Sequence, residues 1–244
     1  MAHVLMTDRR KAILKAIIRL YTKDAQPVGS KNLAERFNFG IGPAMIRQEM
    51  MILEKEGYLT QPHTSAGRIP TDMAYRLYIS ELAESPDELS LKEQKRISNE
   101  VGRTHDDWHE LFKEVSRIVS DISGELSVAG LASGEAHYMH GFSQLAQEPE
   151  LQDRQSIDNL FRFMDEMDQY FDHLWSSLLS NSYGVFIGSE NPIKEIRSFS
   201  VVTGRYTLPK GEAGFISIIG PKRMDYRKNV ALVRYVSHAL ARGN

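Results

Sequence analysis

The strongest constraint on the fold lies in the first 72 residues, where three helical patterns run directly into a turn bounded by prolines. From Asp8 to Lys23, Ile13, Leu14, Ile17, Leu20 and Tyr21 recur at helical spacing, with Arg9, Arg10, Lys11, Lys15 and Arg19 outside that stripe. Gln26-Pro27-Val28-Gly29 reads as a turn, and Ser30 as the N-cap of a short helix from Lys31 to Phe37. A third helix starts at Pro43 and closes at Gly57. Its apolar stripe is Ile46, Met50 and Leu53, and its other face carries Ala44, Arg47, Gln48, Met51 and Lys55. Two short strands, 58–61 and 68–70, flank the polar tip Pro62-His63-Thr64-Ser65-Ala66-Gly67, and Thr71 caps a helix from Asp72 to Glu84. Three helices followed by a small hairpin is the order of a winged helix-turn-helix.

Charge supplies a partner for such a module. The whole chain of 244 residues has a net charge of −2, which alone argues against nucleic acid. Residues 1–80, however, hold 12 Lys/Arg against 7 Asp/Glu, a net of +5, while residues 81–244 hold 18 against 25, a net of −7. A basic module joined to an acidic one suits contact with phosphates through the first.

Ser85-Pro86-Asp87 marks the boundary. Beyond it, Leu91 to Val101 reads as a polar helix and Asp106 to Ile122 as a strongly amphipathic one, with Trp108, Leu111, Phe112, Val115, Ile118, Val119 and Ile122 on one face. Leu126 to Leu131 is a short strand, followed by a loop with Gly130, Gly134 and Gly141. Residues 153–179 keep a helical period. Tyr183–Ile187, Phe199–Tyr206 and Gly214–Ile219 are β-rich runs, and Val230–Ala241 is a closing helix. The second half is therefore α+β. The apolar faces of 106–122 and 153–179 suit the core of their own domain first and a dimer surface second.

Several chemistries are excluded or unsupported. With no cysteine, disulfides, thiolate zinc sites and cysteine nucleophiles are impossible. No apolar run approaches the roughly 20 residues of a membrane span, and residues 1–7 lack the apolar core of a signal peptide. His63 and Ser65 lie in a turn with no orienting acid, so they do not read as a catalytic pair. His105 and His109 beside Asp106 and Asp107 read as the wet start of a helix rather than a metal cluster. No phosphate-binding glycine motif is present. No catalytic residue, cofactor or metal is expected, and the chain does not read as an enzyme.

Ordered blocks of residues point to a family. Arg9 to Ile17, Pro27-Val28-Gly29-Ser30, Ile46-Arg47-Gln48-Glu49-Met50 and Glu56-Gly57-Tyr58-Leu59 come first, and Gln61-Pro62-His63-Thr64-Ser65-Ala66-Gly67-Arg68-Ile69-Pro70-Thr71 is the most specific. Gly141-Phe142-Ser143-Gln144-Leu145, Ile187-Gly188-Ser189-Glu190-Asn191-Pro192 and Ile219-Gly220-Pro221-Lys222-Arg223-Met224-Asp225-Tyr226 follow. Together they resemble the heat-inducible transcription repressor family, HrcA, over most of residues 8–240.

The resemblance implies a multi-domain α+β protein, with a winged helix-turn-helix DNA-binding domain over 1–84 and a reduced GAF-like regulatory and dimerisation domain over 85–244. It implies a cytoplasmic repressor of chaperone genes, acting at the nucleoid when bound. Its partners would be a double-stranded DNA operator of inverted-repeat form, a second copy of the chain in a homodimer, and a GroEL-type chaperonin, with no membrane. Lys31, Arg47, Gln48, Thr64 and Arg68 are the expected DNA contacts. Arg47 and Gln48 would read bases; Lys31, Thr64 and Arg68 would hold the backbone. The alternative is a sensor or interaction protein whose α+β half binds a small molecule or chaperone, with the winged helix used for protein contacts.

Two departures from the family stand out. The recognition helix begins Gly42-Pro43-Ala44-Met45 where the family usually has Ser and Thr. The centre is also short: Leu131-Ala132 leads almost directly to the Tyr138–Ser143 block, where the family places several GAF strands and an inserted dimerising domain.

Overall fold

The structure, a computed structural model, describes residues 6–82, 89–103, 108–134, 136–152, 154–165, 182–192 and 194–243. The chain divides into two compact units, Met1–Glu84 and Ser85–Asn244.

The first unit contains α1 (Asp8–Asp24), α2 (Ser30–Arg36), α3 (Pro43–Lys55), β1 (Leu59–Thr60), β2 (Ile69–Pro70) and α4 (Asp72–Leu82). Thr7 starts α1 by accepting the Arg10 amide on its hydroxyl at 3.3 Å. The apolar stripes then meet in one core. Ile13 and Ile17 of α1, Leu33 of α2, and Ile46, Met50 and Leu53 of α3 are all at most 1% exposed. Removing such side chains from water contributes about 1.5–3 kcal/mol each. β1 and β2 pair antiparallel, Leu59 opposite Pro70 and Thr60 opposite Ile69. One local expectation is corrected: Ser30 is not the cap of α2. It is the first helical residue, and Gly29 occupies the cap position with no side-chain hydrogen bond.

The second unit contains α5 (Leu91–Val101), α6 (Trp108–Ser123), β3 (Leu126–Leu131), β4 (His137–His140), α7 (Phe142–Leu145), α8 (Arg154–Asp165), β5 (Tyr183–Ile187), β6 (Phe199–Thr207), β7 (Ala213–Pro221) and α9 (Tyr226–Arg242). Ser90 and Glu93 form a reciprocal capping box that starts α5. The strands make one antiparallel sheet in the order β4-β3-β7-β6-β5.

Alternation along the central strands sends side chains to both faces, and both are covered. On one face Leu126, Val128, Val201, Phe215 and Ile219 pack with Leu145 of α7 and Leu160 and Phe163 of α8. Across the other face runs α9, so close that a β-carbon on Gly204 would lie 2.6 Å from Ser237 Oγ and Val233 Cγ1. Tyr226 at the start of α9 donates its hydroxyl to Ser200 Oγ at 2.7 Å. Phe112 of α6 packs against the Tyr206 ring, centroids 6.4 Å apart. The result is a GAF-like α+β domain.

The sequence expectation differs from this unit in two places. His137–His140 is a strand, not a loop: Ala129 and Gly130 of β3 oppose Tyr138 and His137. The short centre is thus spanned by a tight β3–β4 hairpin, and among the described residues the sheet has five strands. Helix α9 begins at Tyr226 rather than Val230, because Asp225 caps it by accepting the Lys228 amide at 3.2 Å. The apolar face of α6 is core, the first of its two expected uses, with Leu111, Phe112, Val115, Ile118, Val119 and Ile122 all buried. The expected helix starts at 106 and 153, and the stretch 166–179, lie outside the described residues.

Candidate nucleic-acid interface

Helix α3 has two faces with separate jobs. Ile46, Met50 and Leu53 enter the core, which leaves Ala44, Met45, Arg47, Gln48, Met51 and Lys55 exposed. Side chains three and four residues apart are neighbours on a helix, so Arg47, Gln48, Met51 and Lys55 form one outer strip. Neither Arg47 nor Gln48 has a hydrogen bond or ion pair to a described residue. The acids of α3 are treated differently. Arg10 of α1 donates its Nε to Glu49 Oε2 at 2.7 Å, with both side chains nearly buried. Arg68 donates from Nε and Nη2 to Glu54 Oε2, at 2.9 and 2.6 Å. The helix carboxylates at 49 and 54 are thus neutralised at its flanks, and Arg47 and Lys55 lie on the open strip.

The start of α3 matches the departure seen in the sequence. Gly42 occupies the cap with no side-chain hydrogen bond, and Pro43 takes the first helical position. No hydroxyl is presented there. Lys31, the second residue of α2, is exposed.

The hairpin is a wing, and its most specific residues build it. Gln61 Nε2 donates to the carbonyls of Thr64 and Ala66 at 3.0 and 2.8 Å, which closes the tip. His63, Thr64 and Ser65 are left exposed. Val28 and Arg68 exchange both backbone hydrogen bonds at 2.9 Å, tying the wing to the turn before α2. Thr71 Oγ1 donates to the Gly57 carbonyl at 2.6 Å, and Thr71 also accepts the Ala74 amide at 3.4 Å at the start of α4. On the far side, Lys11 and Lys15 reach Glu81 at 3.5 and 2.6 Å. Burial lifts the Glu81 carboxyl, but the two lysines outweigh it and hold it below the usual carboxylate range.

Four of the five expected contact residues, Lys31, Arg47, Gln48 and Thr64, are therefore exposed on α2, α3 and the wing tip. Arg68 is placed differently. Its side chain is 12% exposed and is committed to Glu54, 14 positions earlier. Sequence reading missed Glu49, Glu54 and Gln61, whose roles depend on partners that no local spacing reveals. Elsewhere, His109 Nδ1 lies 3.1 Å from the Tyr138 hydroxyl and serves a structural contact. Among the described residues no group of three His, Asp or Glu could hold a metal ion, and no helix is long and apolar enough to cross a membrane.

Comparison with known proteins decides the family. The model of the winged helix-turn-helix transcription repressor, HrcA DNA-binding, matches residues 5–83, and the model of the HrcA protein C-terminal domain matches residues 70–230. The chain belongs to the HrcA family. Its relatives there are named heat-inducible transcription repressors. One from Desulfitobacterium hafniense (strain DSM 10664 / DCB-2) is 28% identical over 337 aligned positions, covering 96% of this chain and 96% of the relative. One from Kineococcus radiotolerans (strain ATCC BAA-149 / DSM 14245 / SRS30216) is 44% identical over 121 residues, covering 50% of this chain and 34% of the relative. An alignment of 337 positions exceeds the 244 residues available, so this HrcA chain is a shortened member. A crystal structure of a hypothetical protein superposes with a TM-score of 0.79 at 18% identity, over 97% of this chain and 98% of that one, which shows the shared fold. Family membership favours the DNA-binding reading of the winged helix over the protein-contact alternative.

Proposed function

We propose that this chain is a heat-inducible transcriptional repressor that binds duplex DNA through its winged helix. The observation that carries the reading is the division of labour on α3: its acids are paired off at the flanks, and Arg47 and Gln48 stand open on a helix followed by a hydrogen-bonded wing. Arg47 pairs with a guanine edge and Gln48 with an adenine edge in the major groove. Lys31 and Thr64 contact the phosphate backbone. Arg68 belongs to the contact set through the wing it holds against Glu54.

The repressor acts as a homodimer on an inverted-repeat operator, and a GroEL-type chaperonin tunes it. The supports are the family names and the compact α+β unit attached to the winged helix. A two-fold dimer places two recognition helices on half-sites related by the same axis. No catalytic step is assigned, and the protein works in the compartment that holds the chromosome.

The test is a footprint of the full-length chain on chaperone-gene promoters, with and without chaperonin, across a salt series. Protection of an inverted repeat, with affinity falling steeply as salt rises, is the expected result. Absence of any protected sequence at low salt overturns the DNA reading. Light scattering that shows only monomer at DNA-binding concentrations overturns the dimer.

A further inference from the structure

Two large apolar side chains stand in water on α3, one of them on the strip that carries Arg47 and Gln48. Met51 is 54% exposed and Met45 is 45% exposed. Met51 lies three residues after Gln48 and four after Arg47, so it shares their strip, while Met45 lies in the first turn, three residues before Gln48. Met50, next to Met51 in sequence, is 1% exposed, so the helix has buried its core methionine and left these two out.

The groove that the outer strip would enter displays one apolar group. Each base edge in the major groove offers hydrogen-bond donors and acceptors, and only thymine adds a methyl, at C5. A thioether side chain is unbranched, polarizable and able to adapt its shape, which suits it to cover a methyl group. It offers no donor, and only a weak acceptor, to a guanine or cytosine edge.

We infer that Met51 is a specificity-determining residue that reads a thymine methyl group in the operator half-site, beside the bases contacted by Arg47 and Gln48. Met45 covers a second thymine, next to the start of α3, in place of the hydroxyl contacts that Ser or Thr would make there. The inference rests on the DNA-binding reading above and sharpens it: the half-site of this chain contains thymine next to the Arg47 and Gln48 positions. Apolar contact also explains how Gly42-Pro43-Ala44-Met45 serves a recognition helix without hydroxyls.

The experiment starts by selecting binding sites for the full-length chain from a random-sequence duplex library. Each thymine of the selected half-site is then replaced singly by deoxyuridine, which removes the C5 methyl and nothing else. The replacement under Met45, and likewise the one under Met51, should weaken binding by about four-fold, the size expected of one buried methyl group. Met51→Ala and Met51→Gln should each bind the thymine and deoxyuridine duplexes equally at the position under Met51. Met73, which is 43% exposed but lies on α4, is the control: Met73→Ala should keep the full sensitivity. The inference fails if every deoxyuridine duplex binds the parent as tightly as thymine does, or if the Met51 variants retain the parent's sensitivity. A chain that selects no duplex at all overturns the DNA reading itself, which separates the two failures.

Discussion

A β-carbon placed on Gly67 would lie 2.5 Å from the carbonyl carbon and oxygen of Val28. The contact is backbone against backbone, so no side chain can swing aside to relieve it. Glycine at this position is a packing requirement. It lets the wing lie against the turn between α1 and α2, where Val28 and Arg68 exchange hydrogen bonds.

Gly67→Ala should therefore detach the wing without unfolding the helices. We expect a stability loss of about 1–3 kcal/mol in a urea melt, in the range of overpacking substitutions. Helical circular dichroism at low denaturant should be unchanged, and operator affinity should fall. A variant with parental affinity and stability would show that the wing tolerates separation from Val28.

Arg68 and Glu54 should behave as one unit. If Arg68 acts by holding the wing, Arg68→Met and Glu54→Gln should each weaken DNA binding, and the double variant should be little worse than either. A coupling of about 1–2 kcal/mol is expected for side chains in direct contact. The salt dependence separates this role from a phosphate contact. Loss of a phosphate contact lowers the slope of log affinity against log salt by about 1. Arg68→Met should leave that slope at its parental value.

Arg47→Ala and Lys31→Ala should differ in kind. Arg47 lies on the outer strip of α3, so its loss should cost about 1–3 kcal/mol at the cognate sequence and relax selectivity at one base position. Lys31 lies on α2. Its loss should weaken all sequences by a similar factor and reduce the salt slope by about 1. Gel-shift titrations on operator and scrambled duplexes at several salt concentrations distinguish the two patterns. Equal effects on both duplexes for Arg47→Ala would remove it from base reading.

The helices and central strands were legible because burial writes a period into the chain. Leu91–Val101 and Leu126–Leu131 follow their patterns residue for residue. The edge strand His137–His140 was not legible, since three of its four side chains are half-buried and the fourth is exposed. Its identity depends on pairing with Ser127–Gly130 across a tight hairpin. Helix α9 begins with Tyr226-Arg227-Lys228-Asn229, a polar turn in which Tyr226 and Asn229 are nonetheless buried, so the apolar period starts one turn late. At the candidate interface, exposure of Arg47 and Gln48 followed from the stripe of Ile46, Met50 and Leu53. The commitment of Arg68 did not, because an arginine at the start of a short strand looks the same in sequence whether or not a glutamate waits 14 residues away.

Glu125 gives a prediction that sequence could not reach, since a glutamate before a strand ordinarily faces water. Here it is buried beneath β7, where a β-carbon on Gly220 would lie 2.4 Å from its Oε2. That oxygen accepts no hydrogen bond. Nearby, Arg223 is taken up by Glu148 and by Glu150, the latter at 3.0 Å. Burial pushes the Glu125 carboxyl up, Glu148 and Glu150 push it further, and Arg223 offsets only part, leaving it at about 8. The folded state thus binds a proton that the unfolded chain, at about 4.5, releases. Stability from this group is complete below pH 4.5 and is lost as pH rises from there to about 8. The loss is at most about 1.4 kcal/mol per pH unit. Glu125→Gln keeps the shape and removes the titration, so its urea midpoint should vary less with pH across that window than the parent's. It should exceed the parent's at pH 8. Parallel pH profiles for the two proteins would show that Glu125 is ionised in the folded state throughout.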